Sequence, residues 1–277
     1  MTEISLEQYR RLSQQIYQKL GLHFDEKKIY FLKKRIEKRM EALGIEEPAD
    51  YLFMISYSDP HGVEMQALAN LVTTNETYMF REYDQLQAFA NHCLPEVLSN
   101  KQAIGQRSLR IWSAGCSSGE EPYTLAMIVQ EVFPQAQSWQ CEIVATDIDE
   151  NMLRHVAVAR YGARSVGEVP EEYLKKYLTK EGEEWVVRRR TAELVQSRHL
   201  NLNDRTDMRT MRGFDFIFCR NVLIYFDDLS RKAVVDHFYA ALNPGGYIFL
   251  GHSESVGRST TAFKLKRFES HLVYVKE

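Results

Sequence analysis

The chain has 277 residues, 44% of them hydrophobic and 26% charged, enough to bury one substantial core and a smaller second one. No apolar run approaches the roughly 20 residues that a membrane span requires, and the start, Met1 to Arg10, mixes charge with apolar residues at helical spacing instead of the layout of a secretion signal, so a cytoplasmic protein without direct membrane insertion is expected. A formal net charge of −3 argues against a general nucleic-acid binder. Cys93, Cys116, Cys141 and Cys219 are scattered without metal-ligand spacing, so reduced thiols and no metal are expected.

Residues 1 to about 100 read as helices, at 5–20, 26–43, 48–57, 61–72 and 84–98. In the second of these Ile29, Leu32, Ile36, Met40 and Leu43 form one apolar stripe, and Gly44 ends it. Its other faces carry Lys27, Lys34 and Lys38 in one row and Lys28, Arg35 and Arg39 in the next. One side packs and the other is strongly positive; taken alone, such a run is most simply a solvated face.

From residue 108 short apolar runs alternate with amphipathic segments, the pattern of a parallel sheet covered by helices. Strands are expected near 109–113, 141–146, 213–219 and 246–251, helices at 119–132, 149–158 and 228–242, and a closing hairpin at 262–268 and 271–276. Between the second and third core strands lies an insertion, 160–200, with a short helix near 170–177 and two alternating stretches, Trp185 to Arg190 and Ala192 to Leu200, that read as a small antiparallel hairpin. The expected division is therefore 1–83 helical, 84–107 a linker helix, and 108–277 a sheet domain.

Four segments carry candidate chemistry. In Ser113-Ala-Gly115-Cys-Ser-Ser-Gly119-Glu120-Glu121 a strand leads through small residues into a helix, so the backbone can turn tightly against a ligand. Acids straight after the loop disfavour a phosphate and suit a cationic ligand or ribose hydroxyls, though an ordinary strand-to-helix turn explains the segment equally well. In Ala145-Thr-Asp147-Ile-Asp149 an acid ends the second strand, where a carboxylate of a doubly wound fold grips ribose hydroxyls, though taken alone Asp147 fits a turn-forming role comparably well. Asp149 is better read as a helix cap. In Cys219-Arg220-Asn221-Val-Leu-Ile-Tyr225 a buried strand ends in polar groups at the ligand-binding edge of the sheet, and in Asn75-Glu-Thr77-Tyr-Met-Phe80-Arg81-Glu82 a polar cluster sits at the junction of the two regions.

Taken in order with Gly251-His-Ser-Glu254, these segments resemble the chemotaxis receptor glutamate methyltransferase family, CheR, over essentially the whole chain. The resemblance implies a Rossmann-like class I S-adenosylmethionine-dependent methyltransferase sheet, α/β in class, with an N-terminal all-helical receptor-recognition domain and a small inserted antiparallel β subdomain. It implies S-adenosyl-L-methionine as cofactor, S-adenosyl-L-homocysteine as its product, and a monomer acting on glutamates in the cytoplasmic helical region of methyl-accepting receptors. By motif, Asn75, Thr77 and Arg81 approach the methionine end. Gly115, Glu121 with its neighbour Glu120, and Asp147 hold the amino-acid and ribose portions. Asn201 and Leu202 flank the adenine, and Arg220, Asn221 and Tyr225 lie near the sulfonium. Arg81 and Tyr225 are the expected catalytic residues, and the basic helix (Lys27, Lys34, Arg35, Lys38, Arg39) becomes the expected receptor contact. One departure concerns the receptor-tail peptide that some members bind through a glycine-rich loop of the β subdomain: the corresponding stretch here, Thr179 to Trp185, is short and has a single glycine. Two other readings stay open at this stage: a non-catalytic S-adenosylmethionine-binding scaffold, and a carboxyl methyltransferase for another acidic protein.

Overall fold

The computed structural model describes residues 3–134, 138–256, 262–268 and 271–277. Four helices come first: α1 (Leu6–Leu20), α2 (Ile29–Leu43), α3 (Pro48–Tyr57) and α4 (Val63–Val72). Their ends follow local chemistry. Ser5 and Gln8 close a reciprocal capping box on α1, and Gly21 and Gly44, both in the left-handed region, stop α1 and α2. Residues 26–28 form a separate 3-10 turn ahead of α2. The stripe on α2 buries Leu32, Ile36 and Met40.

A long helix follows, α5 (Tyr83–Ala88) running through a π-turn at Phe89–Cys93 into α6 (Leu94–Ala103). The linker expected at 84–107 is thus a covering helix of the sheet: the Phe89 ring stands edge-on to Phe216, Phe218 and Phe249 at 5.0, 5.2 and 5.8 Å.

The sheet domain continues with β1 (Ser108–Ala114), α7 (Glu120–Val132), β2 (Gln140–Asp147) and α8 (Glu150–Val158). The insertion holds β3 (Arg160–Tyr161), α9 (Ala163–Val166), α10 (Glu171–Tyr177), β4 (Leu178–Glu181), β5 (Glu184–Val187) and α11 (Arg189–Ala192). Then come β6 (Val195–His199), α12 (Arg205–Thr210), β7 (Phe214–Cys219), α13 (Asp228–Ala241), β8 (Leu242–Leu250), β9 (Lys264–Phe268) and β10 (His271–Val275). The seven-stranded sheet has the order β6-β2-β1-β7-β8-β10-β9, parallel except where β10 joins β8 and β9.

The expected hairpin of 185–190 with 192–200 does not form. β5 pairs antiparallel with β3 and β4 in a separate three-stranded sheet, residues 189–192 make a helical turn, and Val195–His199 joins the main sheet parallel to β2. Alternation marks a strand but not its partner, and the parallel partner of β6 lies some fifty residues back in the chain. A two-residue turn at Gly182 and Glu183, with Gly182 left-handed, closes β4 onto β5.

Sheet residues alternate between two cores. Trp112, Val144, Cys219, Ile248 and Leu250 share one with α12, α13 and the four N-terminal helices; Ile111, Ile143, Phe216, Phe218 and Phe249 share the other with α5 to α7 and the insertion. The N-terminal helices are therefore packed on one face of the sheet, not hung from it. No described helix is long and apolar enough to cross a membrane.

Candidate functional site

Successive strands run outward from β1 through β2 to β6, and the chain then returns to place β7 on the other side of β1. This switch point opens a crevice at the carboxyl ends of β1 and β7. A cleft of about 1170 Å³, part of it open to solvent, occupies the place. Asn75, Thr77, Arg81, Gly115, Glu121, Asp147, Asn201, Leu202, Arg220, Asn221 and Tyr225 all line it. Five stretches distant in sequence thus converge on one space.

The loop after β1 is tight by necessity. Gly115 has φ +77°, and a Cβ there would lie 2.5 Å from Val222 Cγ2, so both conformation and space demand glycine. Asp147, the last residue of β2, is buried and accepts from the amides of Ser117 (2.7 Å) and Asp149 (2.9 Å). Burial raises its pKa above the ordinary value even though those amides favour the charged form. Asp149 caps α8 through the amides of Asn151 and Met152 and also accepts from Asn75 Nδ2 at 2.9 Å, which ties the Asn75 segment to the sheet edge.

Glu121 accepts from the Ser113 hydroxyl at 2.7 Å, and burial pushes its pKa up, opposed by Arg220. The buried Arg220 has its Nε 3.6 Å from a carboxylate oxygen of both Glu121 and Glu82, and it donates to the Arg81 carbonyl. Three buried polar atoms gathered here have no hydrogen-bond partner: Arg220 Nε, Glu82 Oε2 and Asn221 Oδ1. Such atoms cost free energy unless something else meets them. Arg81 donates to the Glu76 carbonyl at 2.8 Å and lies over the Tyr78 ring. Cys116 and Cys219 are buried, and burial lifts both thiols well above their usual pKa, so neither is a nucleophile.

Two expectations, those for Glu120 and Arg39, need correction, and that for Asn201 gains detail. Glu120 does not line the cleft: it is buried on the opposite side of the α7 start, accepting from Ser118 and Ser165 hydroxyls at 2.7 and 2.8 Å, because adjacent helical residues point about 100° apart. Asn201 lines the cleft, but its carboxamide is committed, donating to the Lys19 carbonyl and accepting from the Asn203 amide. On the basic helix Arg39 is not available to a partner. It grips Glu64 with two hydrogen bonds, 2.8 and 2.5 Å, and Glu64 also accepts from Tyr51. Arg35 is half-buried over the Phe31 ring at 3.6 Å and reaches the Leu71 carbonyl. Lys27, Lys34 and Lys38 stand exposed.

Residues that sequence reasoning passed over also build the wall. Leu22, His23 and Phe24, between α1 and α2, line the cleft, and the His23 amide donates to the Tyr225 carbonyl at 2.9 Å. Gly21 marks the spot: its φ is +74°, and a Cβ would meet the Phe226 ring at 2.8 Å. Tyr17 reaches Asp227 from the same helix end at 2.9 Å.

A doubly wound sheet with a closing antiparallel pair, and a switch-point crevice lined by carboxylates where a phosphate binder would have none, defines a class I S-adenosylmethionine-dependent methyltransferase fold. Comparison with known proteins makes this specific. The family described as CheR methyltransferase, SAM binding domain, matches residues 75–271, and the CheR methyltransferase all-alpha domain matches residues 7–73. Chemotaxis protein methyltransferase 2 of Vibrio cholerae serotype O1 is 38% identical over 270 residues, covering 96% of this chain and 91% of the relative. The chemotaxis protein methyltransferases of Borreliella burgdorferi and Escherichia coli K12 are 32% and 33% identical, covering 91% and 93% of this chain and 89% and 87% of the relatives. The chain belongs to the CheR methyltransferase family, and its larger domain binds S-adenosylmethionine.

Proposed function

We propose that this protein methylates glutamate side chains in the cytoplasmic helical region of chemotaxis receptors, giving methyl esters, and that it acts in the cytoplasm as a monomer with residues 1–83 as the receptor-recognition unit. The observation that carries the reading is the meeting of Asn75 to Arg81, Glu121, Asp147 and Arg220 to Tyr225 in one cleft with unpartnered buried polar atoms among them.

The residues fit the cofactor. Asp147 has lone pairs left for ribose hydroxyls after its two amide bonds, Glu121 offers a carboxylate to an ammonium group, and Asn221 Oδ1 presents a free acceptor. When bound, the cofactor supplies an electrophilic methyl group on a sulfonium. The chain's residues then have positional work. A glutamate carboxylate, with a reference pKa of about 4.3, is already ionised at neutral pH, so no general base is needed. Arg81 at the cleft orients that carboxylate and Tyr225 bounds the space where it arrives, and the low-dielectric walls strengthen attraction between opposite charges. Alignment alone can supply several kcal/mol, up to the roughly 7–11 attributed to well-oriented reactions.

The exposed Lys27, Lys34 and Lys38 hold the acidic receptor helices by charge complementarity. Incubation with labelled S-adenosylmethionine and receptor-containing membranes tests the proposal: alkali-labile methyl groups on the receptor are expected. Alkali-stable label, or none, would refute glutamate esterification, and unchanged single-turnover transfer in Arg81→Ala and Tyr225→Ala would refute those two roles.

A further inference from the structure

The Gly251-His252-Ser253-Glu254 segment follows β8, and neither the cofactor contacts nor the receptor contacts proposed above use it. Glu254 does not line the cleft, yet its carboxylate is fully engaged just behind it. Oε2 accepts from the amides of Asn221 and Gly251, both at 2.8 Å, and Oε1 accepts from the amide of Ile224 at 3.2 Å. Two of these donors, Asn221 and Ile224, belong to the turn between β7 and α13, where a 3-10 turn at Leu223–Tyr225 is too short to satisfy its own first amides.

That turn holds Asn221 in an unusual state. Asn221 has φ +59°, a left-handed conformation disfavoured for a residue with a side chain. Its Oδ1 is buried without a partner, beside the cleft that Asn221 lines. On the other side Gly251 presses close: a Cβ there would stand 2.9 Å from Asn221 N, from Asn221 Nδ2 and from Glu254 Oε2. The φ of Gly251 is outside the left-handed region, so the requirement for glycine is one of space. Carboxylate and glycine together clamp the backbone and carboxamide of Asn221.

We propose that Glu254 is a positioning residue of the methyl-transfer site, pinning the amides of Asn221 and Ile224 so that the Asn221 carboxamide and the Tyr225 ring face the cleft. A carboxylate is required because both oxygens accept. A glutamine in its place would turn an NH2 group toward a backbone N–H at one of the two ends. The inference rests on the reading of Asn221 as a cofactor contact.

The test is a double-mutant cycle on the whole protein, with S-adenosylhomocysteine binding followed by calorimetry and melting temperature followed in parallel. Glu254→Gln and Asn221→Ala should each weaken binding about tenfold, the loss of one charged or buried hydrogen bond. If Glu254 acts through Asn221, the double variant binds no worse than the weaker single variant, while its losses in melting temperature still add. A merely structural Glu254 would give additive losses in both. Binding by Glu254→Gln within about twofold of wild type, or additive losses of affinity, overturns the proposal. Should Glu254→Gln not fold, Gly251→Ala keeps the carboxylate and displaces Asn221 by its Cβ; wild-type affinity in that variant likewise overturns it. Failure of the wild-type protein to bind the ligand would instead sink the reading of the cleft itself, and the two failures are told apart by that one control.

Discussion

The contrast between Arg39 and Lys38, neighbours on one helix, offers a sharp check on how the basic face divides between stability and recognition. Glu64 is 8% exposed in its side chain and Arg39 21%, and the pair shares two hydrogen bonds. Replacing Arg39 by alanine leaves a buried carboxylate whose remaining side-chain donor is the Tyr51 hydroxyl at 2.8 Å. Breaking a buried pair from one side costs about 3–5 kcal/mol, and the partial exposure of Arg39 puts this case near the lower figure. Because α2 shares its core with the sheet, the loss should reach the whole domain and lower the melting temperature by about 6 °C, at about 2 °C per kcal/mol for a chain of this size. Lys38 is exposed, so Lys38→Ala should stay within about 0.5 kcal/mol of wild type. Its effect should appear in the receptor KM, raised at low salt and vanishing at high salt. Circular dichroism melts and initial-rate assays at two salt concentrations decide the matter. An Arg39→Ala protein that melts with wild type and shows the Lys38→Ala rise in KM would refute the assignment of Arg39 to the Glu64 pair.

Asp147→Asn keeps one acceptor oxygen and loses the other, so calorimetry should show at least tenfold weaker S-adenosylhomocysteine binding, about 1.4 kcal/mol or more; unchanged affinity would remove Asp147 from the ribose site. The raised pKa values of Asp147 and Glu121 fix a sign. Their contribution to folding is present below the unfolded-state pKa values of 3.8 and 4.5 and is lost as pH rises through the higher folded-state values, so ionising either carboxyl in the free protein carries a cost. Ligand groups that meet the ionised forms offset that cost, so thermal stabilisation by S-adenosylhomocysteine should be larger at about pH 7.5 than at about pH 5; a pH-independent shift would contradict it. Gly115→Ala meets Val222 and a left-handed backbone together, so it should abolish cofactor binding, and adding Val222→Ala should relieve the clash but not the strain, restoring stability only in part in a melt.

Much of this architecture is legible locally. The stripe Leu32, Ile36 and Met40 places α2 and its buried side, Gly21 and Gly44 end their helices, and Asp149 and Asp227 cap α8 and α13 through their own carboxylates, since each signal involves residues within a turn or two of one another. The continuous apolar run of β7 and the acid closing β2 mark the crevice before any coordinates, because a doubly wound sheet binds ligands at its carboxyl edge whatever its sequence. What the local pattern does not contain is the choice among distant partners. The pairing of β6 with β2, the turn of Glu120 away from the cleft that Glu121 faces, the capture of Arg39 by Glu64, the α1–α2 loop laid against Tyr225 and the grip of Glu254 on Asn221 are each made by residues far apart in the chain or by the side on which a helix packs. Alternation, caps and charge specify what an element is; only the closing of long loops around a shared core determines which side chains meet, and that is where this site is made.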